Sequence, residues 1–214
     1  MPLEKNGYHN EDCCCYVPSK EEQQQWIKNE KKYQMQILSM DEIKLLVVGN
    51  TPYECGFNGI AFCKDSWKEL LDTQCSARYL LCSLGVNLRI AQSKYTNPVD
   101  LFMAMAQKGL IFFNQRDIFL KESLNKAPNY IISCGSNILK SVKQQIERKS
   151  GCFKHISRHP CPQGESNPPN KTKDWFKYWG KFESMLNILE PKNSNGEIHS
   201  IIKELNQEGK ISGK

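Results

Sequence analysis

The chain has 214 residues, ten cysteines and a formal net charge of +6, with 39% hydrophobic and 24% charged residues. That length suits one domain with tails and is enough to bury a sizeable core. No apolar run approaches the roughly 18–20 residues of a membrane span, and large apolar residues are too frequent for a disordered chain.

Residues 1–20 read as an irregular tail. The first sixteen are polar and carry no secretory pattern, so an intracellular, cytoplasmic setting is expected. Residues 21–38 read as a helix, with Trp26, Tyr33 and Ile37 near helical spacing. The apolar run 43–48, closed by Gly49, has the pattern of a buried strand followed by a tight turn. Residues 66–84 are helix-like. Asn97-Pro98 punctuates the chain, and 99–107 reads as a further helix stopped by Gly109.

Residues 110–113 form a second apolar run ending at Asn114, and 129–134 a third, closed by Gly135. A helix over 137–149 and a strand over 152–156 follow. The loop 161–173 is rich in Pro, Asn and Lys, and 174–189 reads as a helix. The remainder, 191–214, reads as a polar extension with a weak helix near 201–205. Strands alternating with helices predict a three-layer α/β/α domain over 21–190, built on a central, mostly parallel four-stranded sheet.

In such folds ligands sit at the carboxyl ends of the strands. Those ends carry Gly49-Asn50-Thr51, Asn114-Gln115, Gly135-Ser136 and Arg158-His159. The cysteines form no C-x-x-C pair, so zinc-ribbon spacing is absent. Cys63 and Cys134 lie in apolar stretches, where a thiol behaves as a small hydrophobe. The run Cys13-Cys14-Cys15 has three readings, a metal ligand set, a lipid acceptor or a polar tail that happens to hold thiols, of which the last is favoured.

Taken in order, the strand ends resemble the uracil-DNA glycosylase superfamily. Val48-Gly49-Asn50-Thr51-Pro52-Tyr53 is similar to that family's G-Q-D-P-Y-H motif, and Gly59-Ile60-Ala61-Phe62 to its G-L-A-F. Gly109-Leu110-Ile111-Phe112-Phe113-Asn114 resembles G-V-L-L-L-N, and His159-Pro160-Cys161-Pro162 resembles H-P-S-P. The similarity covers about residues 43–190.

The resemblance implies hydrolysis of the N-glycosidic bond of a base in DNA, after the base is flipped from the stack. By this likeness Phe62 stacks on the base, Asn114 reads its edge, Tyr53 walls the pocket at the pyrimidine 5-position, and Gly49 is counted with them among the base-binding residues. His159 donates to the base carbonyl as it becomes anionic, a contribution worth about 10²–10³ in rate for one such donor. No cofactor or metal is implied.

Two departures bear on the target base. The family's water-activating Asp falls on Thr51, and the His that closes the first motif falls on Glu54. Asn50, one position earlier, and Glu54 are the candidates for placing water. Gln163 stands where the family has an apolar wedge. The remodelled motif leaves three readings open: a uracil or other modified-pyrimidine glycosylase, a glycosylase for modified bases of phage DNA serving antiviral defence, or a catalytically inactive DNA-binding relative.

Between positions 138 and 181 the chain has ten Lys or Arg and three acids, an excess larger than that of the whole chain. Such clustering suits phosphate contacts. Ser136, Ser157, Arg158, Lys171 and Lys173 are the nearest candidates, so DNA is the expected partner of a monomeric, membrane-independent protein.

Overall fold

The computed structural model describes residues 19–49, 58–73, 75–117, 120–135, 139–157, 160, 177–191 and 196–207. Ser19 caps helix α1 (Lys20–Leu38). Ser19 Oγ accepts from the Glu22 amide at 3.1 Å, and Glu22 Oε2 accepts from the Ser19 amide at 2.7 Å. This reciprocal pair satisfies two main-chain donors that a helix start leaves open. At the other end the Lys126 ammonium donates to the carbonyls of Ile37 and Leu38 at 3.0 Å each, and to Met40. A cation on unpaired carbonyls also suits the negative end of the helix dipole.

Four strands follow: β1 (Leu45–Gly49), β2 (Leu110–Asn114), β3 (Tyr130–Cys134) and β4 (Phe153–Ser157). They form one sheet of order β2-β1-β3-β4, parallel throughout. Flanking helices make it a three-layer α/β/α fold, as expected. Every residue of β1 and β2 is buried. That accounts for their continuous apolar runs, because a parallel sheet covered on both faces has no solvent side. Chain order reverses between β1 and β3, and ligands of open α/β sheets collect at the carboxyl ends beside such a reversal.

Between β1 and β2 lie α2 (Trp67–Leu70), α3 (Ser76–Ser83), α4 (Leu88–Lys94) and α5 (Pro98–Gln107). The single helix expected over 66–84 is thus two. The first ends as Leu71 caps it, and Cys75 is extended (φ −76°, ψ 120°) before the second begins. Helix α4 was not expected. Asn87 starts it, its side chain accepting from the amides of Arg89 and Ile90. Asn97 caps α5 with Pro98 in the first turn, the arrangement that dipeptide favours.

Helix α6 (Leu120–Asn125) joins β2 to β3, and α7 (Lys140–Arg148) joins β3 to β4. The helix expected over 174–189 is broken. Glu183 has φ +59°, and helical structure resumes only as α8 (Leu186–Leu189). The amides of Glu183 and Met185 donate instead to Cys82 O at 3.0 Å and Ser83 O at 2.9 Å. Those carbonyls lie in the last turn of α3, where intrahelical donors run out; Cys82 O also accepts from the Gly85 amide at 2.9 Å.

The core runs past residue 190. Helix α9 (Glu197–Leu205) buries Ile198, Ile201, Ile202 and Leu205, so the segment expected as a polar extension packs into the hydrophobic cluster. The buried carboxylate of Glu190 accepts from the amides of Ile198 and His199 at 2.9 Å each and pairs with His199 Nδ1 at 3.0 Å. Among the described residues, no helix is long and apolar enough to cross a membrane. Cys63, Cys75 and Cys134 are buried thiols outside any disulfide, and burial pushes Cys63 and Cys134 well above the ordinary thiol range.

Candidate functional site

Gly49 and Asn114 end adjacent strands and are register partners. Their side-chain directions therefore lie on the same face of the sheet. Phe62 joins them from the segment that follows Asn58. A Cβ on Gly49 would lie 2.9 Å from Phe62 Cε2 and Cζ and 3.1 Å from Asn114 Oδ1. Gly49 is therefore required for close approach: it lets an aromatic ring and an amide meet over a strand end.

Phe62 holds φ +63°, a left-handed backbone conformation that a bulky residue rarely adopts. Strain of this sort costs on the order of 1–3 kcal/mol and persists where the surroundings over-determine it. Helix α1 supplies part of that determination. Trp26 Nε1 donates to Asp65 Oδ2 at 2.9 Å, and a Cβ on Gly59 would stand 2.6 Å from the Trp26 carbonyl. Gly59 itself has φ +89°. Asn58, fully buried, accepts from the Ile60 amide at 3.2 Å. The segment bearing Phe62 is thus pressed against a helix that sequence reading gave no role.

Asn114 is 2% exposed. Its Nδ2 is buried and has no hydrogen-bond partner among the described residues. A buried amide donor without a partner costs about 1–3 kcal/mol, so such a group calls for an explanation. Its main chain is held firmly. The Asn114 amide donates to Asp117 Oδ2 at 2.7 Å, the Asp117 amide returns to Asn114 O at 2.9 Å, and the Gln115 amide donates to Gly49 O at 2.9 Å. Gln115 Oε1 in turn accepts from the Leu139 amide, linking the end of β2 to the start of α7.

β2 is an edge strand, and its amides facing away from β1 need partners. Tyr33 Oη accepts from Phe112 at 2.8 Å, and Asp117 accepts from Asn114. Burial pushes the Asp117 carboxyl up to about 6; the Asn114 amide opposes that shift and Glu30 adds to it.

On β4, His155 is half-buried, with its ring 4.6 Å from that of Tyr178 and its Nε2 buried without a partner among the described residues. Burial, then the Lys177 charge, lowers its pKa. Sequence reading singled out neither Asp117 nor His155.

Of the residues expected in the site, the structure thus brings together Gly49, Phe62 and Asn114. Asn50, Thr51, Tyr53, Glu54, Ser136, Arg158, His159, Gln163, Lys171 and Lys173 lie outside the described residues. Ser157 ends β4, with only its main chain described. Of the basic cluster, Lys140, Lys143, Arg148, Lys177 and Lys181 are exposed. Lys154 and Lys149 are partly engaged, donating to Glu147 O at 2.9 Å and Asn125 Oδ1 at 3.4 Å. Among the described residues, no group of His, Cys, Asp and Glu is arranged to hold a metal ion. No protein-family model matches this chain, and no curated protein matches it in sequence.

Proposed function

We propose that this chain is a DNA glycosylase that draws a uracil or another modified pyrimidine out of the stack and hydrolyses its N-glycosidic bond, leaving an abasic site. One observation carries the reading: an aromatic ring and a buried amide with an unpaired donor meet over a glycine at the ends of two adjacent strands. A pyrimidine offers a flat face and an edge with alternating acceptor and donor. The Phe62 ring suits the face, and an amide carries both complementary groups.

The chemistry then asks for three things. Asn114 Nδ2 donates to a base carbonyl and Oδ1 accepts from the ring N–H. His159 donates to the carbonyl oxygen that gains negative charge as the C1′–N bond breaks and its electrons pass to the base. Asn50, with Glu54 or Thr51 beside it, places the water whose oxygen bonds C1′ while the proton it gives up ends on the departing base, which leaves neutral. Tyr53 closes the pocket at the 5-position. The cost of flipping, a few kcal/mol, falls for a mismatched or damaged base, which suits the absence of an apolar wedge at Gln163. The basic stretch from 138 to 181 meets the phosphates, and the protein works as a monomer on DNA inside the cell.

Mass spectrometry of bases released from oligonucleotides carrying uracil or other deaminated bases, and from modified phage DNA, tests the proposal. Release of a free base with an abasic site left behind is the expected result. Tight DNA binding with no base released from any of these substrates overturns it in favour of an inactive DNA-binding relative.

A further inference from the structure

We infer that Asp117 is the positioning residue for the Asn114 side chain, holding the amide that reads the base through a clamp on its main chain. The inference rests on the glycosylase reading of Asn114. Asn114 is the last residue of an edge strand, where the ladder stops and the backbone would ordinarily be free on its outer side. Here both peptide groups flanking its Cα are fixed. Its amide donates to Asp117 Oδ2 at 2.7 Å. Its carbonyl accepts from the Asp117 amide at 2.9 Å, and the next amide, that of Gln115, donates to Gly49 O at 2.9 Å.

With both peptide planes fixed, the Cα–Cβ direction of Asn114 is fixed, and only two side-chain torsions remain free. The orphaned Nδ2 is what such a clamp holds in place. Collapse of the strand end would let that donor find a carbonyl or water. The Asp117 Oδ2 is committed to the Asn114 amide, so the role inferred for Asp117 is exerted through Asn114. Misplacement of a reading group by about 1 Å can cost about 10²-fold in rate.

The test uses the full chain with Asp117→Ala and Asp117→Asn, the latter keeping an acceptor oxygen for the Asn114 amide. Two readouts are needed: hydrogen exchange of the Asn114 amide by NMR, and kcat and KM for base release from a uracil oligonucleotide. Asp117→Ala should speed exchange at Asn114 about tenfold or more. It should also lower kcat at least tenfold with KM within about twofold, because DNA affinity rests on phosphate contacts elsewhere. Asp117→Asn should restore most of both. A kcat for Asp117→Ala within twofold of wild type, or Asp117→Asn as impaired as Asp117→Ala, overturns the inference.

If the wild type releases no base, the glycosylase reading fails, and exchange alone decides the clamp. Protection lost in Asp117→Ala and kept in Asp117→Asn supports it; an Asn114 amide unprotected in the wild type overturns it. Should Asp117→Ala not fold, the wild-type exchange rate at Asn114 is compared with that at Phe113. Equal protection supports the clamp, and exchange at the rate of a free amide overturns it.

Discussion

The Phe62 ring lies over Gly49, so closely that a Cβ on the glycine would stand 2.9 Å from two ring carbons. Phe62 cannot retreat freely, because its backbone already sits at φ +63° on a segment pinned to α1. Gly49→Ala should therefore cost about 1–3 kcal/mol of stability, the usual penalty for overpacking a tight core. It should also cut base release at least tenfold. Chemical denaturation and a cleavage assay check the pair; an alanine variant as active as wild type removes Gly49 from the site.

Asn114→Ala separates function from stability. The wild-type Nδ2 is buried without a partner, a burden the alanine lacks. The variant should match or exceed the wild-type unfolding midpoint while losing well over tenfold in base release. Stabilised, inactive variants are expected where a buried polar group serves a ligand and not the fold. A fall in stability of 2 kcal/mol or more with activity intact would show that the amide is structural.

Three strands, β1, β2 and β3, were legible because each is a short apolar run closed by Gly or Asn, and burial on both faces produces that pattern; β4 holds Lys154 and His155 and leaves Phe153 and Ile156 exposed. Asn114, Gly49 and Phe62 were legible through motif order. Asp117 was not, because its partner is a main-chain amide on an edge strand, and no sequence pattern says that β2 is an edge. The breaks at 71–75 and near Glu183 were hidden for a related reason. The amides of Glu183 and Met185 serve the carbonyls at the end of α3, about a hundred residues earlier, so helical periodicity alone carries no sign of the interruption. Helix α9 was legible in part, as the weak helix expected near 201–205; its full face follows from Ile198, Ile201, Ile202 and Leu205 at i, i+3, i+4, i+7 spacing.

Asp117 should give stability a signature between about pH 4 and 6. Its carboxyl rises from an ordinary 3.8 to about 6 on folding, chiefly through burial. Below the lower value both states are protonated and no penalty exists. As pH rises through the folded value the buried group must ionise, and stability is lost. Asp117→Asn keeps an acceptor for the Asn114 amide without the charge. Its stability relative to wild type should increase from pH 4 to pH 7, measured by denaturation at both. A difference that is constant with pH means that the carboxyl is not shifted upward.

Glu190 organises the start of α9 from inside the core. Its two oxygens accept from the amides of Ile198 and His199, and one also meets His199 Nδ1. Glu190→Ala leaves a buried amide, that of Ile198, and a half-buried one, that of His199, without partners and should cost about 1.5–3 kcal/mol. Gly196 is tied to the same carboxylate, since a Cβ there would fall 1.9 Å from Oε2. Gly196→Ala should therefore destabilise α9 as well. Because the disturbance lies away from Asn114, kcat of the folded fraction should stay within twofold of wild type. A larger loss would couple α9 to the site.

Lys140 and Lys143 are exposed on α7, which joins β3 to β4, and Lys177 and Lys181 are exposed beyond β4. Lys143 has only a loose contact with Glu147, at 3.9 Å, so its charge remains available to a phosphate. If these cations meet DNA, affinity for a duplex should fall steeply as salt rises, with a slope set by the number of phosphates neutralised. Replacing Lys140 and Lys143 together by Gln should weaken binding evenly across sequences and reduce the slope of log affinity against log salt by about 1 for each lysine. Fluorescence anisotropy across a salt series measures both quantities. Affinity that does not change with salt, or a slope unaltered in the double variant, removes α7 from the DNA-facing surface.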